Sequence, residues 1–137
     1  MVARFEPQKD HATLLHAVAG LMDREWHLDL IGDGPLLADA QKLAESLGLA
    51  GRIRFWGQRM DVDARLAEAQ VALLITNWEG FPRSILEAMR AGRLHVTGLA
   101  SGQVGFAVNL AGAVPFAIKG DQSGPRTYTQ VVIVKKD

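Results

Sequence analysis

The sequence predicts an α/β fold in a single domain, a parallel sheet flanked by helices, and three observations carry that prediction. Strand-like and helix-like apolar patterns alternate along the chain, the turns between them are short and rich in Gly, Pro and Asp, and Val71–Ile75 (VALLI) is an unbroken apolar run. Such a run is typical of a parallel strand covered on both faces, and alternation with short loops gives β-α-β units with right-handed crossovers. At 137 residues, the chain suits one core that buries roughly two-thirds of the surface an unfolded chain exposes.

The elements follow in order. Asp10 is a good N-cap, and Leu14, Leu15, Val18, Leu21 and Met22 recur at helical spacing, which predicts a helix from Asp10 to Met22. Trp26–Ile31 alternates as a strand and stops at the turn Gly32-Asp33-Gly34-Pro35. Pro35 suits a first helical position, Leu36, Leu37, Ala40, Leu43, Ala44 and Leu47 form a buried stripe, and Gly48 sits where a glycine closes a helix. Arg52–Trp56 then reads as a short strand, Asp61–Glu68 as a short helix and Val71–Ile75 as the buried strand. Pro82 opens a helix over Arg83–Ala91, with Ile85, Leu86 and Met89 expected inward and Gly92 as its stop.

Beyond Gly92 no carboxylate appears until Asp121, and periodicity weakens. Val96 and its neighbours, Val114–Ile118 and Gln130–Val134 are candidate further strands, which makes residues 93–137 an atypical continuation of the domain formed by residues 1–92.

Composition excludes several classes of function. Hydrophobic residues are 48% and charged residues 22%, a balance for folding rather than disorder. Fifteen Lys plus Arg cancel fifteen Asp plus Glu, so no net field gathers nucleic acid or anionic lipid. Cys is absent, and His11, His16, His27 and His95 lack metal-ligand spacing, so all four are expected to be ordinary polar or half-buried residues and no metal site is expected. Leu94–Ile118 has no charged side chain but is broken by four Gly, Pro115 and several polar residues, against a simple membrane span. Without an apolar N-terminal segment, the expected compartment is the cytoplasm.

In a sheet of this kind ligands bind beyond the C-terminal ends of the strands, and the loops that carry chemistry all lie there. Arg4 and Lys9 flank the start of the first helix, where a guanidinium fork, an ammonium and free backbone N–H groups suit a diphosphate; two solvated surface charges are the other reading. Glu79-Gly80-Phe81-Pro82 follows the buried strand, and Glu87 lies in the second turn of the next helix. The two carboxylates can accept hydrogen bonds from sugar or ribose hydroxyls, or serve only as partners of the helix dipole and of Arg83 or Arg90. Gly32-Asp33-Gly34-Pro35 can approach a phosphate or sugar, yet it is not the dinucleotide fingerprint. Phosphate-loop and nucleophile-elbow motifs are absent as well.

Taken in order, the segments VARFEPQKDHATLL, LIGDGPLL, LGLAGRIRFWGQRMDV and NWEGFPRSILEAMRAG resemble the C-terminal, donor-binding domain of group 1 (family 4) glycosyltransferases, over Val2 to about Gly92. The resemblance implies a Rossmann-like domain, half of a GT-B fold, that binds a UDP-, GDP- or ADP-sugar without any other cofactor. It implies that Arg4 and Lys9 hold the donor diphosphate, that Glu79 lies beside the sugar and that Glu87 binds the ribose hydroxyls. Backbone at Gly80, Phe81 and Pro82 would contact sugar or phosphate, and the base would rest near Phe55, Gly57, Gln58 and Arg59. The family usually retains anomeric configuration without a metal and commonly builds bacterial polysaccharides. The strand leading into Val2 and the acceptor-binding N-terminal domain are lacking, so the chain is expected to be half an enzyme, partnered by that domain or by another protein. After Gly92 the resemblance is expected to end. A non-catalytic α/β interaction domain and a truncated fragment are the alternative readings.

Overall fold

The computed structural model describes residues 1–79, 81 and 83–92 in full, and the backbone of residues 94–98 and 130–132. Its elements are α1 (His11–Ala19), β1 (Leu28–Ile31), α2 (Leu37–Ser46), β2 (Ile53–Gly57), α3 (Val62–Glu68), β3 (Val71–Ile75), α4 (Arg83–Arg90), β4 (Leu94–Gly98) and β5 (Gln130–Val132). The alternation read from the sequence is the architecture. β1 pairs with β2 in parallel, Leu28 opposite Ile53, and β3 pairs with β4 in parallel, Val71 opposite Leu94. β4 and β5 run antiparallel, a departure from the all-parallel sheet expected.

The strands fall into two groups, β1-β2 and β3-β4-β5, and residues 1–10 join them. Val2 bridges Ile31 in parallel at one end of that segment, and at the other the Asp10 N–H donates to the Ile75 carbonyl at 3.1 Å. The core gathers on the β1 side, where Phe5, Leu15, Leu30 and Leu49 are fully buried under α1 and α2. Each such side chain contributes roughly 1.5–3 kcal/mol.

Several boundaries and faces differ from expectation. α1 ends at Ala19, because Gly20 caps it and Leu21 and Met22 beyond are exposed. Of β3 only Leu74 is buried and Val71 is 42% exposed, so among the described residues the strand is not covered on both faces as its apolar run predicts. On α4 the buried position is Ala88, whereas Leu86 and Met89 are exposed on a face that no described layer covers. Gly48 and Gly92, at φ of 72° and 69°, close α2 and α4 as their positions predict. Val114–Ile118 lies outside the described residues. No helix among the described residues is long and apolar enough to cross a membrane.

Candidate functional site

The loops after β1, β2 and β3 all open at the C-terminal ends of the parallel strands. β1 runs into Gly32-Asp33-Gly34, whose backbone lies directly against the segment carrying Arg4. A Cβ on Gly32 would stand 2.0 Å from the Ala3 carbonyl oxygen, and one on Gly34 would stand 2.5 Å from that of Phe5. Their φ values of 142° and 153° also disfavour any side chain. The Phe5 N–H donates to the Asp33 carbonyl, and the Phe5 carbonyl accepts from Leu36 N–H, both at 3.0 Å. Gly32 N–H donates to the carbonyl of Gly57 at 2.8 Å, and Gly57, at a φ of 64°, turns the chain out of β2. These contacts border an open cleft of about 460 Å³ lined by Arg4, Gly32, Asp33, Gly34, Gln58 and Arg59 among others. Arg4, Gly32, Gln58 and Arg59, separate signals in the sequence, are thereby brought around one space.

Its two guanidinium groups are held by nearby acids. Arg4 meets Glu6 at 2.8 Å, and Arg59 grips Asp61 with a fork at 2.8 and 3.0 Å. The bond from Arg59, aided by a weaker one from Arg65, holds the Asp61 carboxyl well below the usual carboxylate range, and Asp61 in turn raises Arg59. Arg65 lies with its guanidinium 3.6 Å from the Trp56 ring centroid, a cation–π contact that anchors this corner.

A second cluster forms where β3 ends. The Lys9 ammonium bonds the Glu79 carboxylate, with side chains only 15% and 9% exposed, so two predicted catalytic groups stand in direct contact. The loop behind Lys9 is stitched to β3's exit. Asn77 N–H donates to the Gln8 carbonyl at 2.8 Å, Asn77 Nδ2 to the Pro7 carbonyl at 3.0 Å and Gln8 Nε2 to the Trp78 carbonyl at 2.7 Å. Thr76 Oγ1 lies within hydrogen-bond distance of both the Gln8 and Trp78 carbonyls, at 3.0 and 2.8 Å. Sequence reasoning missed Gln8, Thr76 and Asn77, whose roles rest on backbone partners distant in the chain.

Of the remaining predicted residues, Phe81 is 58% exposed and Glu87 is half-buried on α4, while Gly80 and Pro82 lie outside the described residues. Phe55 turns its ring toward Phe5, centroids 6.1 Å apart, and packs against the core; it does not line the Arg4 cavity. His11, expected to be an ordinary polar or half-buried residue, is instead buried at 5% exposure, and burial lowers its pKa below the usual 6.5. Among the described residues no cluster of three or more His, Asp or Glu could hold a metal ion.

Comparison with known proteins places this geometry. Residues 1–112 match the family described as glycosyl transferases group 1, so the likeness runs past Gly92, where the sequence was expected to lose it. The chain is 44% identical over 63 residues to the Vi polysaccharide biosynthesis protein VipC/TviE of Salmonella typhi, covering 46% of this chain and 11% of that protein. It is 32% identical over 93 residues to the lipopolysaccharide 1,6-galactosyltransferase of Salmonella typhimurium, covering 65% of this chain and 26% of the relative. Its fold is similar to that of Anabaena HepE solved in complex with UDP, with a TM-score of 0.64 and 26% identity over 70% of this chain and 28% of that one. The chain therefore spans less than a third of each of these three proteins. With the family match covering most of its length and the α/β fold shared, the chain belongs to the group 1 glycosyltransferases.

Proposed function

We propose that this chain is the nucleotide-sugar-binding part of a glycosyltransferase for polysaccharide or glycoconjugate synthesis, with the donor held across the C-terminal ends of β1, β2 and β3. The observation that carries the reading is the cavity formed by Arg4, the Gly32–Gly34 backbone, Gln58 and Arg59. Two guanidinium forks and closely packed glycine backbone suit an anion, and Gln58 and Arg59 offer polar contacts to a base. HepE is solved in complex with UDP, which favours UDP as the first nucleotide to test.

In the proposed transfer the anomeric C–O bond of the donor breaks and its electron pair leaves with the nucleoside diphosphate. The acceptor hydroxyl oxygen forms the new bond, and its proton passes to the departing diphosphate. Arg4 and Lys9 stabilise the charge that develops there, the kind of preorganised electrostatics that lowers barriers most. Glu79, oriented by Lys9, accepts from a sugar hydroxyl, and Glu87 accepts from the ribose. The acceptor site belongs to a second domain. Residues 1–92 carry the donor site and residues 93–137 continue the same domain, a division supported by the pairing of β4 with β3 and of β5 with β4. The compartment proposed is the cytoplasm.

Calorimetric titration of the folded chain with UDP, GDP and ADP tests the reading. One nucleotide is expected to bind, and Arg4→Ala to weaken it about tenfold, the value of one charged hydrogen bond. Glu87→Ala should weaken free UDP, whereas Glu79→Ala should weaken the sugar conjugate more than UDP. A folded chain that ignores all three nucleotides overturns the proposal.

A further inference from the structure

We propose that His11 is a positioning residue that fixes the spacing between Arg4 and Lys9, the two cations that hold the diphosphate in the function proposed above, on which this inference rests. His11 opens α1 behind the N-cap Asp10, and its ring is sealed from solvent at 5% exposure. Two contacts define what it does. Its ring stacks on Phe5, centroids 4.0 Å apart and planes within 14°, and its Nδ1 lies 2.9 Å from the Lys9 carbonyl oxygen. A carbonyl only accepts, so Nδ1 carries the proton and donates it. The same oxygen also accepts from His11's own backbone N–H at 2.8 Å.

Phe5 directly follows Arg4 and is stitched through its backbone to the Gly32–Gly34 loop. Lys9 carries the ammonium that meets Glu79. The imidazole therefore spans the inside of the loop from the residue beside Arg4 to Lys9 itself. Its stack sets one end of that loop and its N–H sets the other. Asparagine has a donor at the same branch but cannot stack, and phenylalanine stacks but cannot donate; a neutral imidazole does both. Neutrality suits the place, because a cation in the first turn of a helix opposes the helix dipole and would sit beside Lys9.

The test separates positioning from simple core packing. The full chain is prepared as His11→Phe, His11→Asn, Lys9→Ala and the double variant His11→Phe/Lys9→Ala, and UDP affinity is measured on each. His11→Phe is expected to weaken UDP by up to about tenfold, the upper end for one neutral hydrogen bond. In the Lys9→Ala background the same change should add nothing, because its effect runs through Lys9. His11→Asn, which keeps the donor but not the stack, should lower Tm and retain part of the affinity that His11→Phe loses. An unchanged affinity in His11→Phe, or an equal further loss in the double variant, overturns the proposal.

A second readout needs no ligand. The ¹⁵Nζ resonance of Lys9, slowed in exchange by its pair with Glu79, should be lost in His11→Phe and kept in His11→Asn. If the parent chain binds no UDP, the function proposed above fails while this resonance still decides the role of His11. Should His11→Phe not fold, His11→Met, which fills space without a donor, replaces it.

Discussion

The two sides of the candidate site are made of different materials. Around Arg4 the contact is backbone against backbone: Gly32 and Gly34 let the chain approach Ala3 and Phe5 more closely than any side chain allows. At Glu79 itself the contact is side chain against side chain, a Lys9 ammonium on a carboxylate 70 residues away in sequence, although the segments behind it are joined by backbone bonds such as Asn77 N–H to the Gln8 carbonyl. The first arrangement is tied to folding, since the same segment pairs with β1 and its exit, Ala3 N–H donating to the Ile31 carbonyl and Phe5 N–H to that of Asp33. The second is one ion pair between side chains, so it is the part of the site expected to yield to substitution with the fold kept.

Substitutions that break this contrast should act in a definite order. Gly32→Ala is expected to be the most damaging, because its Cβ would sit 2.0 Å from a carbonyl oxygen at a φ of 142°. A loss of about 3 kcal/mol or more in denaturant unfolding is expected, enough to prevent folding of a marginal domain. Lys9→Ala should cost about 2 kcal/mol by leaving the Glu79 carboxylate, 9% exposed, without its cation. Lys9→Ala/Glu79→Gln should regain part of that stability without regaining nucleotide affinity.

Smaller effects sharpen the contrast further. His11 has a folded pKa below 6.5 because burial disfavours its charged form, with Met1's amino group and Lys9 adding to that and the Lys9 carbonyl and Asp10 opposing it. Between the folded value and 6.5 the unfolded chain therefore binds more protons, so stability rises with pH and levels above it. Tm is expected to fall as pH drops from about 7 to 5, and His11→Asn to flatten that dependence. Asp61→Asn should change Tm least, since the carboxylate is exposed and its ion pairs are screened. It should nevertheless alter Trp56 fluorescence, because Arg59 and Arg65 lose the acid that holds them near the indole.

The parts legible in the sequence are those written locally. The apolar run gave the bounds of β3, and Gly48 and Gly92 marked the ends of their helices, because each depends only on neighbouring residues. The family motifs singled out Arg4, Gly32, Gln58 and Arg59 one by one, but that they line one space, with close backbone approach at two glycines, appears only in three dimensions. Lys9 and Glu79 were each singled out, but not their pairing, since nothing in one chain links residues so far apart. His11 read as ordinary because a lone histidine declares neither its burial nor its tautomer. Leu86 and Met89 misled because helical spacing marks an apolar face without saying whether anything covers it.

The division of the strands has a bearing on behaviour in solution. β1's outer edge is engaged by Met1–Ala3, through bonds to Asp29 and Ile31, whereas β3 is the outer strand of its group and, beyond the Asp10 N–H on the Ile75 carbonyl, pairs on that side with no described strand. Proteins ordinarily blunt such margins with charge, proline or a bulge, yet β3 reads Val-Ala-Leu-Leu-Ile. Such a margin favours pairing with a second copy, so concentration-dependent self-association that grows with time and temperature is the behaviour expected in light scattering.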